Sequence, residues 1–404
     1  MKRVVHTGDT HIGCLQYQLI ERKDDFIKAF RKVIEESIHD GVDAVVHAGD
    51  IFESGMPNNV DIVDTINVLQ QLKIAEIPFL AVVGNHDRVR GIGKVQWIDI
   101  LEKFGLAIHL GQIPVCVDKI AIYGMDDVPS SQRKDIDYQF EECPEYIEHK
   151  VLVAHGQFVP FTPVKREDTL DINTIIEESN INFDCILLGD DHERKEDTIQ
   201  GVRVTYCGST ERKSTKERKK RSYNLIEFDD HIRVIKKNIP GRNFEYISIK
   251  VNLEKDTDHL YRQLKEHRLK MDQAIVSLTI ETEDQISKAE IENYCKKFGA
   301  LKVLTKIIKN EESIEMIDVA HFIDPIKAVE EEIKSLGLTA GAQEIEILIR
   351  DGTIAESNLR NSVKDSVMKR LELSSDLIED DNRLKEHNGS VGIKQNNSSL
   401  GDFV

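Results

Sequence analysis

Six short segments each follow an apolar run and carry residues suited to binding metal ions. They are Gly8-Asp9-Thr10-His11, Gly49-Asp50, Gly84-Asn85-His86-Asp87, Ala154-His155-Gly156, Gly189-Asp190-Asp191-His192 and Gly208-Ser209-Thr210. The first five supply carboxylates, imidazoles and one amide, enough donors for two divalent ions. Two ions about 3.5–4 Å apart stabilise both the attacking and the leaving oxygen when a phosphate ester is cleaved in line. Asp9 and His11, one residue apart, can face one ion together. Asp50 has two oxygens and can bridge two cations. Asn85 offers a neutral carbonyl oxygen, and His155 and His192 offer ring nitrogens. A mixed oxygen and nitrogen set without sulfur suits Mn²⁺, Fe²⁺ or Zn²⁺ better than Mg²⁺ alone. His86, directly after Asn85, is placed to act on the scissile phosphate as an acid rather than as a ligand. Asp87 is expected to orient its other ring nitrogen. The chemistry implied is in-line attack of hydroxide on phosphorus, with His86 protonating the leaving oxygen or holding charge on the phosphate.

These segments need strands to carry them. Val4-Val5-His6, Ala44-Val45-Val46-His47, Phe79-Leu80-Ala81-Val82-Val83, Ile120-Ala121-Ile122-Tyr123, Val151-Leu152-Val153-Ala154 and Cys185-Ile186-Leu187-Leu188 are short and continuously apolar. Such runs fit strands buried on both faces. Helical spacing links Phe26, Phe30, Val33 and Ile34, and again Ile62, Ile66, Leu69 and Leu72. Alternating strands and helices predict an α/β fold with the polar segments gathered at the carboxyl edge of the sheet.

The 404 residues suggest two or three domains. No apolar run approaches the ~18 residues of a membrane span. The chain opens directly on a strand pattern without the features of a signal peptide, so an intracellular, cytoplasmic location is expected. Six cysteines without a Cys-x-x-Cys pair read as free thiols of a reducing compartment. The formal net charge of −18 argues against nucleic acid as a whole-molecule sum. Phosphates respond only to charges within about 10 Å, however, so distribution decides. Arg212, Lys213, Lys216, Arg218, Lys219, Lys220 and Arg221 form one strongly basic segment, interrupted by Glu217 alone. It reads either as a solvated loop or as a contact for a phosphate backbone beside the site.

Five regions are expected: residues 1–240 with the metal-capable segments, a βαβαβ unit over 241–310, an acidic linker over 311–325, amphipathic helices over 326–373, and a disordered tail over 374–404. The helices, marked by Ile326, Val329, Ile333 and Leu336 and by Leu359, Val363, Val367 and Leu371, are too short to form their own core. They either pack back on the body or lie in a partner's groove.

At these residues the chain resembles the calcineurin-like metallophosphoesterases. Within them it is similar to the Mre-eleven/SbcD family of double-strand-break repair nucleases. Gly8-Asp9-Thr10-His11-Ile12-Gly13, Ala48-Gly49-Asp50-Ile51-Phe52, Val83-Gly84-Asn85-His86-Asp87 and Gly208-Ser209-Thr210-Glu211-Arg212 carry the likeness. The resemblance implies a phosphoesterase β-sandwich flanked by helices, a small βαβαβ capping domain and a C-terminal helical segment. It implies that Asp9, His11, Asp50 and His192 hold one ion, that Asp50, Asn85, His155 and Asp190 hold the other, and that His86 is catalytic. Two Mn²⁺ ions are expected, together with DNA ends as substrate. A homodimer and a coiled-coil ATPase of the Rad-fifty/SbcC type, docked through residues 326–371, are the implied partners, in the nucleoid of a prokaryotic or archaeal cell. Asp190 departs from the family's Gly-His-x-His, where a histidine stands, and Asp191 is an alternative ligand. Glu53 stands where some relatives carry a histidine implicated in exonuclease action. Arg88, Arg90, Lys94, Arg212 and Lys213 are the candidate DNA contacts, with ordinary surface charge as the plain alternative. Two further readings compete: a DNA-binding scaffold weakened by Asp190, and a small-substrate phosphodiesterase of the same superfamily.

Overall fold

The computed structural model describes residues 1–89, 95–162, 170–251, 258–282 and 285–308. Two six-stranded sheets form its centre. From edge to edge the first contains Arg233–Asn238, Ser222–Phe228, Lys2–Thr7, Ala44–His47, Phe79–Ala81 and Ile108–His109. The second contains Lys195–Ile199, Val202–Tyr206, Cys185–Gly189, His149–His155, Ile120–Met125 and Val115–Val117. In each sheet the strands that lead into the polar segments are parallel, so all six segments leave at carboxyl ends.

The side-chain alternation explains why the strands read as unbroken apolar runs. Val4, Val46 and Leu80 of the first sheet pack on Ile122, Val153 and Leu187 of the second. Their neighbours Val5, Val45 and Ala81 point outward, onto the helices Ile20–Asp40 and Asn59–Ile74. On the second sheet, Leu152, Ala154 and Leu188 face a separate outer cluster closed by Ile172 and Ile175. Period-two alternation therefore buries both faces of both sheets. The architecture is the helix-flanked α/β sandwich that the sequence implied.

The Ile20–Asp40 helix buries Phe26, Phe30, Val33 and Ile34 and stops at Gly41, whose φ of 58° is the left-handed cap that glycine supplies most readily. Asn58 caps the Asn59–Ile74 helix by accepting from the amides of Val60 and Asp61. Its buried face is turned slightly from the expected one. Thr65, Val68, Leu69 and Leu72 point inward and Ile62 and Ile66 lie at the margin. Thr65 can be buried because its hydroxyl donates to the Asp61 carbonyl at 2.8 Å.

The three parallel strands Phe244–Lys250, Ile275–Glu281 and Lys302–Ile308 form a third sheet. With the helices His259–Glu266, Arg268–Met271 and Lys288–Lys296 it encloses its own core around Leu264, Leu278 and Ile291. This is the βαβαβ order expected of a capping domain. The expected linker, C-terminal helices and tail lie outside the described residues. Among the described residues no helix is long and apolar enough to cross a membrane, and the six cysteines are unpaired.

Candidate metal centre

The parallel strands end beside one another, so five loops from both sheets meet above the sandwich. Gly84 is required here: a Cβ at this position would collide with Asp50 Oδ1 and with the Asp50 amide. Four of the polar residues, Asp9, His11, Asp50 and Asp190, have φ of 48°, 43°, 58° and 92°. Left-handed backbone is costly for side chains other than glycine and persists where the surroundings hold it. The positions clustering at one site are those whose side chains converge.

Asp9, His11, Asp50 and His155 are almost wholly buried. Asp9 belongs to two groups of donors that lie within 4.8 Å of one another, one with His11 and His192 and the other with Asp50 and His155. Asp50 spans both: Oδ2 is 3.8 Å from His11 Nε2 and Oδ1 is 3.6 Å from His155 Nε2. His155 Nε2 also lies 3.0 Å from Asn85 Oδ1 and 3.8 Å from Asp190 Oδ1. All seven expected ligands thus come together. Asp191 turns away, pairing with Lys195 and accepting from the Glu193 amide at 2.9 Å.

The ring nitrogens are arranged as a cation needs them. His192 Nδ1 donates to Glu217 Oε1 at 3.0 Å. His11 Nδ1 lies 3.1 Å from Glu53 Oε2 and 3.2 Å from Lys213 Nζ. His192 Nε2 therefore carries a lone pair, and it faces His11 Nε2 at 3.1 Å. A proton or a metal ion can bridge two ring nitrogens that face each other in this way. The tautomers are assigned from these neighbours. His155 Nδ1 likewise donates to the Ala48 carbonyl at 2.7 Å, which leaves Nε2 for the cluster of Asp50, Asn85 and Asp190.

The electrostatics agree. Burial raises the Asp9 carboxyl to about 7, against the pull of His155 and His192. Burial also raises Asp190. Burial alone would lower His155, but the Asp50, Asp9 and Asp190 carboxylates lift it to about 9. Burial lowers His11 to about 4. A cluster that draws protons into a dry, carboxylate-rich space is one that a divalent cation would satisfy, with release of those protons. The donor set fits a dinuclear site for divalent metals.

His86 lies beside this cluster, its ring centroid 4.9 Å from that of His11. Its Nδ1 is 2.7 Å from the carbonyl of Glu53, so that carbonyl orients the ring. Asp87, expected to do so, has a different role. It is buried and accepts from the amides of Ile51 (3.0 Å), Phe52 (2.8 Å) and Gly84 (3.2 Å), joining the loop of Asp50 to the loop of Asn85. A carboxylate placed among three inward-pointing amides has no reason to leave them for an imidazole.

The candidate DNA contacts fare differently. Arg88 is tied to Asp127, through its carboxylate and through its carbonyl at 2.8 Å. Arg212 donates to the carbonyls of Glu217 (2.9 Å), Arg242 and Lys219 (both 3.3 Å). Lys213 lies 2.7 Å from Glu53 Oε2 and 3.2 Å from His11 Nδ1, so it faces the metal cluster. Arg221 is buried and bonds the His192 carbonyl at 2.7 Å. Most of the basic segment is therefore engaged within the chain; of its exposed lysines, Lys219 pairs with Glu193 at 2.6 Å, and Lys216 and Lys220 are the other two. Arg90 and Lys94 lie outside the described residues. The acids that hold the two imidazoles, Glu53 and Glu217, were not among the expected site residues. The signals in the sequence were that Glu53 stands at a position where the resemblance leads one to expect histidine, and that Glu217 is the sole acid among seven bases.

The calcineurin-like phosphoesterase family model matches residues 2–205. A DNA double-strand break repair protein Mre11 from Haloferax volcanii is 39% identical over 370 residues, covering 91% of this chain and 81% of that protein. One from Halobacterium salinarum is 38% identical over 393 residues, covering 95% of this chain and 98% of that protein. One from Methanosarcina mazei is 37% identical, covering 92% of this chain and 60% of that protein. The order of the donor loops, the sandwich that brings them together and this breadth of similarity lead to one assignment: the chain belongs to the calcineurin-like phosphoesterases and, within them, to the family of the DNA double-strand break repair protein Mre11.

Proposed function

We propose that this protein is the nuclease subunit of a double-strand-break repair complex, hydrolysing phosphodiesters at DNA ends with two Mn²⁺ ions. The observation that carries the reading is Asp50, whose two oxygens face separate donor groups as a bridging carboxylate must. Asp9, His11, Asp50 and His192 would hold one ion, and Asp50, Asn85, His155 and Asp190 the other. When bound, the ions supply positive charge at the attacking and leaving oxygens of the phosphate.

The remaining chemistry falls to the chain. The carbonyl of Glu53 accepts from His86 Nδ1 and so turns Nε2 toward the cluster. From there a protonated His86 can donate from Nε2 to the departing oxygen. The His86 amide donates to Asp50 Oδ1 at 2.8 Å, so the catalytic loop also steadies the bridging carboxylate. Family membership supports DNA as the substrate, and with it a homodimer and a coiled-coil ATPase of the Rad-fifty/SbcC type as partners.

The test is cleavage of an end-labelled duplex by the protein and by His86→Ala. The variant should retain its metal content and lose roughly 10²–10⁴-fold in cleavage, the usual worth of a general acid. Cleavage at the wild-type rate would remove His86 from the reaction. Hydrolysis of aryl phosphates without cleavage of DNA would instead favour a small-substrate phosphodiesterase.

A further inference from the structure

The basic segment over residues 212–221 is built around its one acid. Glu217 Oε1 accepts from His192 Nδ1 at 3.0 Å. Its Oε2 accepts from the Lys213 amide at 3.1 Å and from Arg221 at 3.2 Å. Its carbonyl accepts from Arg212 Nε at 2.9 Å. Both carboxylate oxygens and the carbonyl of Glu217 thus have partners, and its side chain is only 13% exposed.

The same loop is gripped from the other side by the third sheet. The Arg212 guanidinium lies 5.2 Å from the centre of the Phe244 ring, and that of Arg218 lies 4.7 Å from the centre of Tyr246. Both rings project from the Phe244–Lys250 strand. Arg212 also donates to the Arg242 carbonyl at 3.3 Å. A continuous path of contacts therefore runs from the capping strand through Arg212 and Arg218 to Glu217 and on to His192.

We propose that Glu217 is a positioning residue of the metal centre, fixing the His192 tautomer that presents Nε2 to an ion, and that Phe244 and Tyr246 of the capping strand hold its loop in place. The inference rests on the dinuclear reading above. A carboxylate behind a ligating imidazole fixes its orientation and raises its basicity, and losing such a partner typically costs 10–100-fold in metal affinity. The capping domain is thereby part of what sets the affinity of one ion, at a distance from the ligands themselves.

Mn²⁺ binding to the full-length, metal-stripped protein, followed by electron paramagnetic resonance of the free ion, tests this without reading activity. Wild type should bind two ions. Glu217→Ala should weaken one of them 10–100-fold and leave the other within about threefold. Glu217→Gln, whose amide oxygen can still accept the Nδ1 proton, should fall between. Tyr246→Leu should weaken the same ion about two- to fivefold, the worth of one exposed cation–π contact. A purely structural role for Glu217 would weaken both ions alike, and that outcome or unaltered binding overturns the proposal. Unaltered binding in Tyr246→Leu beside a weakened Glu217→Ala overturns its capping-domain half. Should Glu217→Ala fail to fold, Glu217→Gln decides the matter. A wild type that binds fewer than two ions would overturn the dinuclear reading itself, a result distinct from any of these.

Discussion

Asp87→Ala separates two roles for the carboxylate next to His86, the proposed general acid. Three buried amides, those of Ile51, Phe52 and Gly84, lose their acceptor in this variant. An orphaned buried donor costs about 1–3 kcal/mol, and bonds to an ionised group lie toward the upper part of that range. Water entering the space left by the carboxylate recovers part of the loss, so a destabilisation of about 3–4 kcal/mol is expected. For a domain of this size about 1 kcal/mol moves the melting temperature by roughly 2–4 °C, which predicts a fall of roughly 6–16 °C. Thermal unfolding should be measured in chelator, because bound metal stabilises the native state by mass action and would blur the comparison. His86→Ala is the control, since its ring accepts none of these amides, and it should melt close to wild type. Asp87→Asn keeps one acceptor oxygen but turns an NH₂ toward an amide donor, so an intermediate loss is expected. The reasoning is refuted if Asp87→Ala melts within about 2 °C of wild type while its pH–rate profile changes as that of His86→Ala does. That pattern would mean that Asp87 acts through the imidazole after all.

Asp190 brings a further carboxylate to the cluster, 3.8 Å from His155 Nε2, so Mn²⁺ should support more cleavage than Zn²⁺, and Asp190→His should narrow that gap; equal or better cleavage by the unaltered protein with Zn²⁺ would contradict this. Hydrogen bonding to Asp126, with Asp99 on the other ring nitrogen, raises His109 to about 9 despite partial burial. Its folded value lies above the unfolded one near 6.5, so its stabilisation is complete below about pH 6.5 and vanishes as pH rises through about 9. The melting-temperature gap between wild type and His109→Gln should therefore close across that window, and a gap that stays constant would show that the charge is irrelevant. Replacing Lys216 and Lys220 by alanine should flatten the salt dependence of DNA binding by at most about two counterions, and an unchanged slope would place the phosphate contacts elsewhere.

The expected ligands were legible because each sits within a few residues of a strand end. Asp9 and His11 announce one another across a single residue, and Gly84-Asn85-His86-Asp87 follows five apolar residues. Such local patterns survive in one dimension. The strands Val202–Tyr206 and Ser222–Phe228 were harder to see because they bury polar side chains. Asn224 Nδ2 donates to Thr205 Oγ1 at 3.1 Å, and Asn224 also approaches His6 Nδ1 at 3.4 Å. A polar pair satisfied across the sandwich interrupts the apolar pattern while remaining fully buried. The left-handed backbone of Asp9, His11 and Asp50 left no signal either, because these residue types do not demand it; the packed loops impose it.

The basic segment shows why charge read from sequence misleads near a metal centre. Seven cations suggest a phosphate surface, and a net charge of −18 suggests the reverse. Neither sum describes the segment. Arg212 and Arg221 spend their donors on carbonyls and on Glu217, Lys213 faces Glu53, and Arg218 covers Tyr246. A site that gathers buried carboxylates must keep them from repelling one another before metal arrives. The nearest solution is to surround the acids that hold its imidazoles with fixed cations. The basic run is thus explained by the acidity of the centre it encloses, and once Lys219 has paired with Glu193 what remains exposed is small, Lys216 and Lys220.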